Sequence, residues 1–283
     1  MRNLKEQQAV LLELLHEFDR VCKKNQIPYI MFCGSAIGAV RHNGIIPWDD
    51  DLDVSMLRSD YERFLAIASN ELKDQYYLQA EGSEHWMMNF SKLRKNNTTY
   101  LEKFHPKDKQ MHQGIYIDIF PCDNASDIKW IQKMQFYASR VALAKSLWKR
   151  GYETNSIKKR LFMWMCSILP AKPFLKFSMM KNKTDSRYVQ TFLACTSKYE
   201  KGIYDRSWFT EVVDMPFEDM VVPVSAHYDA LLTKLYGDYM KIPNEEERKI
   251  KEHAILIDTE KNYTEYENYR DGMKWDIHTR NIH

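Results

Sequence analysis

Carboxylates and small residues recur in this sequence where chemistry on a phosphate would need them. Gly34 and Ser35 stand at a predicted strand-to-helix turn, Asp51 and Asp53 on a predicted strand, and Asp118 within a second, apolar strand. Residues two apart on a strand share a face, so the side chains of Asp51 and Asp53 are predicted to point the same way. Two such carboxylates repel each other, and their burial is costly unless a cation lies between them.

A divalent cation is the simplest partner for this set. Mg²⁺ takes hard oxygen ligands and keeps its remaining positions for water or a substrate phosphate. Three carboxylates can hold two ions about 4 Å apart, an arrangement that serves phosphoryl transfer. We therefore predict that Asp51, Asp53 and Asp118 hold Mg²⁺ or Mn²⁺, two ions in all. Gly34 would let the backbone approach a phosphate closely, and the N–H groups that open the helix after Ser35 favour an anion.

Several nearby charges admit two interpretations each. Asp49 and Asp50 either cap the turn before the strand or help to hold a second ion. Arg41 either binds a phosphate through its planar guanidinium or pairs with the aspartates. Lys92 and Arg94 alternate on a predicted strand and therefore share one face. They either neutralise a substrate phosphate or belong to an exposed cationic strand.

The hydrophobic pattern predicts the elements that must position these residues. The N-terminal ones are a helix over 4–25, a buried strand over 29–33, a helix over 35–42, a strand over 51–56 and a helix over 59–72. The clearest strand covers 115–120 and is expected to stop at Pro121. Helices are then predicted from 127 to about 200, before a strand near 221–222 and a helix over 225–236. This mixture indicates an α+β fold.

The composition fits a globular protein of one large or two coupled domains. Of 283 residues, 44% are hydrophobic and 28% charged, which excludes wholesale disorder. No apolar run reaches the roughly 18 residues of a transmembrane helix, and the N-terminus shows no apolar signal core. The five cysteines are scattered and never in CxxC spacing, which is typical of reduced thiols. We expect a cytoplasmic protein.

The net charge of +2 hides an uneven distribution. Residues 127–190 carry 14 Lys or Arg and three Asp or Glu, so this segment is +11 and the rest of the chain −9. The segment is also rich in Trp and Phe. It is either a helical subdomain with an aromatic core, or a surface for peripheral contact with an anionic membrane at its inner face. Nothing in it resembles a groove-reading motif, so no nucleic-acid partner is expected.

Several stretches resemble one known family. They are GSAIGAVRHNGIIPWDDDLDV, RSDYERF, SKLRKNNTTY, GIYIDIFPCD and PFEDMVVPVSAHYDALLTKLYGDYM. These are similar to the LicD family, the phosphocholine transferases of bacterial surface glycans, which are related to the fukutin group. The resemblance implies a nucleotidyltransferase-type fold, a short mixed sheet flanked by helices. It also implies that Gly34, Ser35, Asp51, Asp53 and Asp118 are site residues.

The resemblance further implies a CDP-activated donor such as CDP-choline and a hydroxyl acceptor on a glycan or lipid-linked glycan. That acceptor would be teichoic acid, lipopolysaccharide or capsule. In this interpretation Asp118 accepts the hydroxyl proton, and Lys92 and Arg94 contact the donor phosphate. Aromatic faces would hold a quaternary ammonium, and Trp48, Trp86 and Tyr116 are the candidates.

We predict a catalytic core over 1–125, a basic, aromatic-rich helical subdomain over 126–202, and a C-terminal part over 203–283 that packs on the core. Two other functions stay open. One is a nucleotidyltransferase that places NMP on a small molecule or protein and releases pyrophosphate instead of CMP. The other is a non-catalytic scaffold for glycan assembly, although a scaffold has no need for mutually repelling acids.

Overall fold

The computed structural model describes residues 4–102, 108–180, 186–194, 198–250 and 254–266. Its helices are α1 (Leu4–Lys24), α2 (Cys33–His42), α3 (Arg58–Glu71), α4 (Lys129–Arg150), α5 (Ile157–Ile168), α6 (Ala171–Met179), α7 (Ser207–Thr210), α8 (Tyr228–Tyr236) and α9 (Glu245–Ile250). Its strands are β1 (Ile30–Met31), β2 (Asp53–Leu57), β3 (Tyr76–Gln79), β4 (Ser91–Lys95), β5 (Thr99–Glu102), β6 (Tyr116–Ala125), β7 (Tyr188–Gln190), β8 (Ile203–Asp205), β9 (Val212–Phe217), β10 (Met220–Ser225) and β11 (Ala254–Asp258).

A mixed sheet forms the centre of the fold. Its strands run in the order β1-β2-β6-β4-β3, and β7 joins β6 and β8 joins β7 beyond that path. The pair β2 and β6 is parallel, whereas the other pairs in this sheet are antiparallel. Helices pack against the sheet, so the predicted α+β class is confirmed. The arrangement aligns the start of β2 with the first half of β6.

The main core lies between this sheet and α1. Leu11, Leu14 and Phe18 of α1 are fully buried, and the Phe18 ring lies 5.0 Å from that of Phe64 on α3. These α1 positions recur every three to four residues, which is the spacing that predicted the helix. Burial of such side chains stabilises the fold by about 1.5–3 kcal/mol each, so α1 is an integral part of the N-terminal half of the fold.

Strand β6 does not stop at Pro121, as the sequence analysis predicted. The N–H of Asp118 donates to the carbonyl of Leu52, the residue just before β2, so alternate residues of β6 face that strand. The Pro121 nitrogen therefore faces the opposite edge. On that edge, the pairing of β6 with β4 extends only to Ile119, and its pairing with β7 starts at Asp123. The missing N–H removes no hydrogen bond of the ladder, and the strand continues.

The second half of the chain also differs in part from the expectation. Helices α4, α5 and α6 confirm the helical prediction after residue 127, but helical structure ends at Met179 and β7 follows at Tyr188. The predicted strand near 221–222 is the second strand of a hairpin whose first strand, β9, the analysis missed. Strand β11 pairs with β5. None of the helices in the described part of the chain is sufficiently long and apolar to cross a membrane.

Candidate active site

Three charged side chains form a row across neighbouring strands of the central sheet. Asp53, the first residue of β2, lies opposite Asp118 on β6, and Asp118 lies opposite Lys92 on β4. All three side chains are buried. Lys92 Nζ is 2.8 Å from Asp118 Oδ1, so the two side chains form a buried ion pair on one face of the sheet. The row therefore places Asp53 and Asp118, two predicted site residues, on neighbouring strands, with the ammonium of Lys92 beside Asp118.

The Gly34-Ser35 turn is tied directly to this row. Helix α2 begins at Cys33, immediately after β1, and buries Ser35 in its first turn. Ser35 Oγ accepts a hydrogen bond of 2.7 Å from the backbone N–H of Asp53. A Cβ on Gly34 would lie only 2.9 Å from Oδ2 of Asp49. Glycine thus allows an aspartate carboxylate to pack against the start of α2, and the serine fixes the start of β2.

The aspartate run forms a cluster of its own. Among the described residues, the group of three carboxylates that meets within 4.8 Å is Asp49, Asp50 and Asp51. Asp50 is buried, its carbonyl accepts from Gln7, and Tyr100 donates to its carboxylate at 3.4 Å.

The structure changes one premise of the predicted ligand set, the strand boundary, and the set itself stays a prediction. Strand β2 begins at Asp53 and not at Asp51, so the predicted alternation does not extend to Asp51. Asp51 lies in the loop just before the strand, where its carboxylate meets those of Asp49 and Asp50, and Asp53 lies opposite Asp118. The five acidic residues thus form two adjoining sets, one in the loop and one on the sheet.

Lys92 is enclosed by aromatic rings. Its Nζ lies 3.1 Å from the ring centroid of Tyr116, 5.6 Å from that of Phe90 and 5.7 Å from that of Trp86. Burial lowers the pKa of Lys92 to about 8, against the opposing attraction of Asp118 and other nearby acids. Lys92 is therefore held as a cation chiefly by its acidic neighbour. Of the aromatic candidates for a quaternary ammonium, Trp86 and Tyr116 face this lysine.

Arg94 has a different environment from the one predicted. It is 1% exposed, and it donates to Gln79 Oε1 at 2.7 Å and to the carbonyl of Gly114 at 2.6 Å. Its guanidinium also lies over the ring of Tyr116. These bonds tie Nε and Nη1 of Arg94 to β3 and to the turn before β6, which gives the residue a structural role, while its contact with the donor phosphate stays a prediction. The exposed cationic strand is also wrong, since Lys92 and Arg94 are both buried.

Arg41 and Trp48 lie together at the end of α2. Arg41 donates to the carbonyl of Tyr239 at 2.6 Å, and its guanidinium is 5.9 Å from the Trp48 ring centroid. Burial lowers the pKa of Arg41, and the charge of Asp49 opposes this. The guanidinium of Arg248 lies 3.9 Å from the centroid of the same ring. Trp48 thus already faces protein cations, and these contacts join α2 to the C-terminal part of the chain.

Arg150 is a residue near the site that the sequence analysis missed. It is the last residue of α4, and its guanidinium lies 5.1 Å from the Trp86 ring centroid. It pairs with Glu102 at 2.6 Å, and Glu102 is itself 4.0 Å from Lys92 Nζ. No local pattern predicts this contact, because α4 reaches the site only through the packing of distant segments.

The residues of this site fall within a part of the chain that matches a known family. A family model described as LicD/FKTN/FKRP, nucleotidyltransferase domain, matches residues 26–155, which include Gly34, Asp53, Lys92 and Asp118. The lipopolysaccharide cholinephosphotransferase LicD of Haemophilus influenzae is 29% identical over 266 residues, which cover 89% of this chain and 98% of that protein. Residues 26–155 thus form a LicD-family domain.

Two further relatives match shorter stretches of the chain. An uncharacterized protein of Rickettsia typhi is 42% identical over 57 residues, or 20% of this chain and 18% of its own length. An uncharacterized protein of Rickettsia prowazekii is 44% identical over 50 residues, or 18% of this chain and 19% of its own. Of these three relatives, the one from Haemophilus influenzae is similar over 89% of the chain.

Proposed function

We propose that this LicD-family protein transfers a phosphoalcohol group from a CDP-activated donor to a hydroxyl of a cell-surface glycan. Phosphocholine is the group that we propose first. Teichoic acid, lipopolysaccharide and capsule are the acceptors to be compared, with the reaction on the cytoplasmic side. Similarity to a lipopolysaccharide cholinephosphotransferase over 98% of that protein's length supports the class of reaction. The observation that carries the proposal is the placement of Asp53 beside Asp118 on adjacent strands.

In this reaction the acceptor oxygen attacks the phosphorus that bears choline. The bond from that phosphorus to the oxygen of the CMP phosphate breaks, and CMP leaves. Asp118 accepts the proton of the attacking hydroxyl, and the ion pair with Lys92 holds its carboxylate in place. The backbone at the start of α2, opened by Gly34 and fixed by Ser35, faces the donor phosphates. Most of the acceleration comes from this positioning and from charge neutralisation.

The carboxylates fit a hard divalent cation. The cluster of Asp49, Asp50 and Asp51 offers several oxygens within 4.8 Å and would repel itself without a counter-charge. Oxygen donors without nitrogen or sulfur favour Mg²⁺ or Mn²⁺ over zinc. We propose that Asp51, Asp53 and Asp118 hold two such ions. When bound, the ions would neutralise the charge of the donor pyrophosphate.

A panel of CDP-alcohols tests the proposal. The purified protein is incubated with Mg²⁺, a glycan acceptor and CDP-choline, CDP-ethanolamine, CDP-glycerol or CDP-ribitol, and CMP release is measured. We expect release that requires the acceptor and is fastest with CDP-choline. Release of pyrophosphate from a nucleoside triphosphate, without CMP from any CDP-alcohol, would favour the nucleotidyltransferase alternative. Absence of both reactions would favour the scaffold.

Ligand binding offers a test independent of the acceptor. CDP-choline with Mg²⁺ or Mn²⁺ should raise the melting temperature more than the metal alone, because a ligand that binds only the folded state stabilises it. The expected gain is about 2.7 kcal/mol at a ligand concentration one hundred times the dissociation constant. Stabilisation by ATP alone among the nucleotides would contradict the CDP-linked donor.

A further inference from the structure

Helix α5 has two apolar faces, and the described part of the chain covers one of them. Met163 and Cys166 face α4 and are buried. On the opposite side, Ile157, Leu161 and Ile168 are 76%, 54% and 67% exposed. These three residues are four and seven positions apart, and Trp164 lies four positions before Ile168. All four side chains therefore lie in one row along the helix. A solvated helix normally presents polar side chains on that side, so this row requires a partner.

The charges around the row have one sign. Residues 154–180 contain no Asp or Glu, whereas they contain five cations. On α5 the exposed Lys158 and Arg160 lie on the two flanks of the apolar row, since each residue of a helix advances by about 100°. On α6, Lys172 and Lys176 are exposed as well. The partner of this surface must therefore be both apolar and anionic.

A second apolar feature adjoins α5. A groove of about 440 Å³ lies between α4 and α6 and is lined by Met134, Tyr137, Phe174 and Phe177 with almost no polar surface. Val141 of α4 also lines this groove and packs against the buried cluster of α5. An alkyl chain is the chemical group that such a lining accepts. The exposed row and the groove are thus connected through one stretch of α4.

We propose that α5, α6 and the adjoining groove form a membrane-docking surface for an anionic lipid bilayer, with α5 lying in the plane of the interface. The apolar row enters the boundary between head groups and acyl chains, while the flanking lysines and arginine contact anionic head groups. Attachment is peripheral, because the twelve residues of α5 span about 18 Å, much less than the hydrocarbon thickness of about 30 Å.

Charge distinguishes this occupant from two others. A second copy that packed symmetrically on the same face would bring like charges together, which is unfavourable across an interface. Residues 267–283 carry three acidic and three basic residues, so this segment supplies no net negative charge for the surface. An anionic bilayer satisfies both the apolar row and its cationic flanks.

Vesicle sedimentation tests the proposal without any enzymatic readout. The full chain is mixed at low salt with vesicles of phosphatidylglycerol and phosphatidylcholine, or of phosphatidylcholine alone. We expect sedimentation with the anionic vesicles and its loss as salt rises. Leu161→Glu should lower the partition coefficient about tenfold or more, and the double variant Lys158→Glu/Arg160→Glu should do likewise. Ile242→Glu is the matched control, because Ile242 is 52% exposed on another part of the chain.

The outcomes separate the possible partners. Sedimentation that Leu161→Glu abolishes and Ile242→Glu preserves, with unchanged thermal melts, supports the docking surface. No sedimentation with anionic vesicles at low salt overturns it. A concentration-dependent dimer that Leu161→Glu dissociates assigns the face to a second copy and also overturns it. Vesicle binding that appears only after removal of 267–283 would assign the face in the full chain to that segment, against the proposal. None of these results bears on CMP release, so the proposed transferase function is tested separately.

Discussion

Asp53 and Asp118 lie opposite each other on adjacent parallel strands, and Asp118 is paired at 2.8 Å with Lys92 on the next strand. The two carboxylates are 65 positions apart in the sequence yet share one face of the sheet. The ammonium of Lys92 lies directly beside Asp118, whereas Asp53 is the first residue of β2, next to the loop that carries Asp49, Asp50 and Asp51. This difference gives the two aspartates distinct expected roles, a ligand for Asp53 and a held proton acceptor for Asp118.

Asp53→Asn tests the role of the Asp53 charge in the reaction separately from the contribution of the side chain to the fold. It keeps the shape of the side chain and the backbone N–H bonded to Ser35, and it relieves repulsion from nearby acids. We expect CMP release to fall at least about a hundredfold, with a melting temperature equal to that of the parent or slightly higher. Asp219→Asn, an exposed aspartate paired with His16, is the control and should keep full activity. Full activity in Asp53→Asn would contradict the assignment.

The ion pair of Lys92 and Asp118 should show strong coupling. Lys92→Met leaves a buried carboxylate without its cation, and Asp118→Asn leaves a buried ammonium without its anion. Each single change should destabilise the fold by about 3–5 kcal/mol, as removal of one partner from a buried pair does. The double variant should lose less than the sum of the two. Urea unfolding of the four proteins measures the coupling, and additive losses would show that the pair is not a unit.

Gly34 and Gly38 lie on the same helix but should respond differently to alanine. A Cβ on Gly38 would lie 2.4 Å from the carbonyl oxygen of Gly44, a backbone atom, so Gly38→Ala should destabilise the fold by about 1–3 kcal/mol. A Cβ on Gly34 meets the side-chain carboxylate of Asp49, which can rotate away. Gly34→Ala should therefore reduce activity with little loss of stability. Equal unfolding free energies for the two variants would contradict this distinction.

His112 should make the fold sensitive to mild acid. Burial lowers its pKa to about 3, with a smaller contribution from Arg94, and its Nδ1 accepts from the N–H of Gly114. The unfolded chain takes up a proton near pH 6.5 whereas the folded protein does not, so the unfolding free energy falls as pH decreases from 6.5 towards 3. We expect this residue to account for about 2 kcal/mol between pH 7 and 5. Unfolding titrations of His112→Gln should lack that component, and an unchanged slope would refute it.

The local elements of the site were predictable from the sequence because their periodicity is strong. Helix α1, the turn at Gly34 and the placement of Asp118 inside an apolar strand all follow from residue spacing. The adjacency of Asp53 and Asp118 could not be deduced in the same way, because strand order is set by pairing between distant segments. The resemblance of motifs to a known family supplied that expectation.

The errors have a common physical origin. Asp51 was assigned to the strand because alternation continues through it, but pairing with β6 begins only at Asp53. Lys92 and Arg94 do alternate as predicted, yet whether their face is exposed depends on the rings and strands packed over it. Arg150 and Arg248 approach the site from segments far along the chain. Contacts of this kind are tertiary, and local patterns carry no signal for them.

Parallel measurement of CMP release and of choline on the acceptor tests the central claim most directly. The protein is incubated with CDP-choline, Mg²⁺ and a lipopolysaccharide or teichoic acid acceptor, and both products are quantified for the parent and for Asp53→Asn. We predict equal amounts of CMP and of acceptor-linked phosphocholine in the parent, and neither product in the variant. CMP release without choline on any acceptor, or equal transfer by Asp53→Asn, would contradict the account.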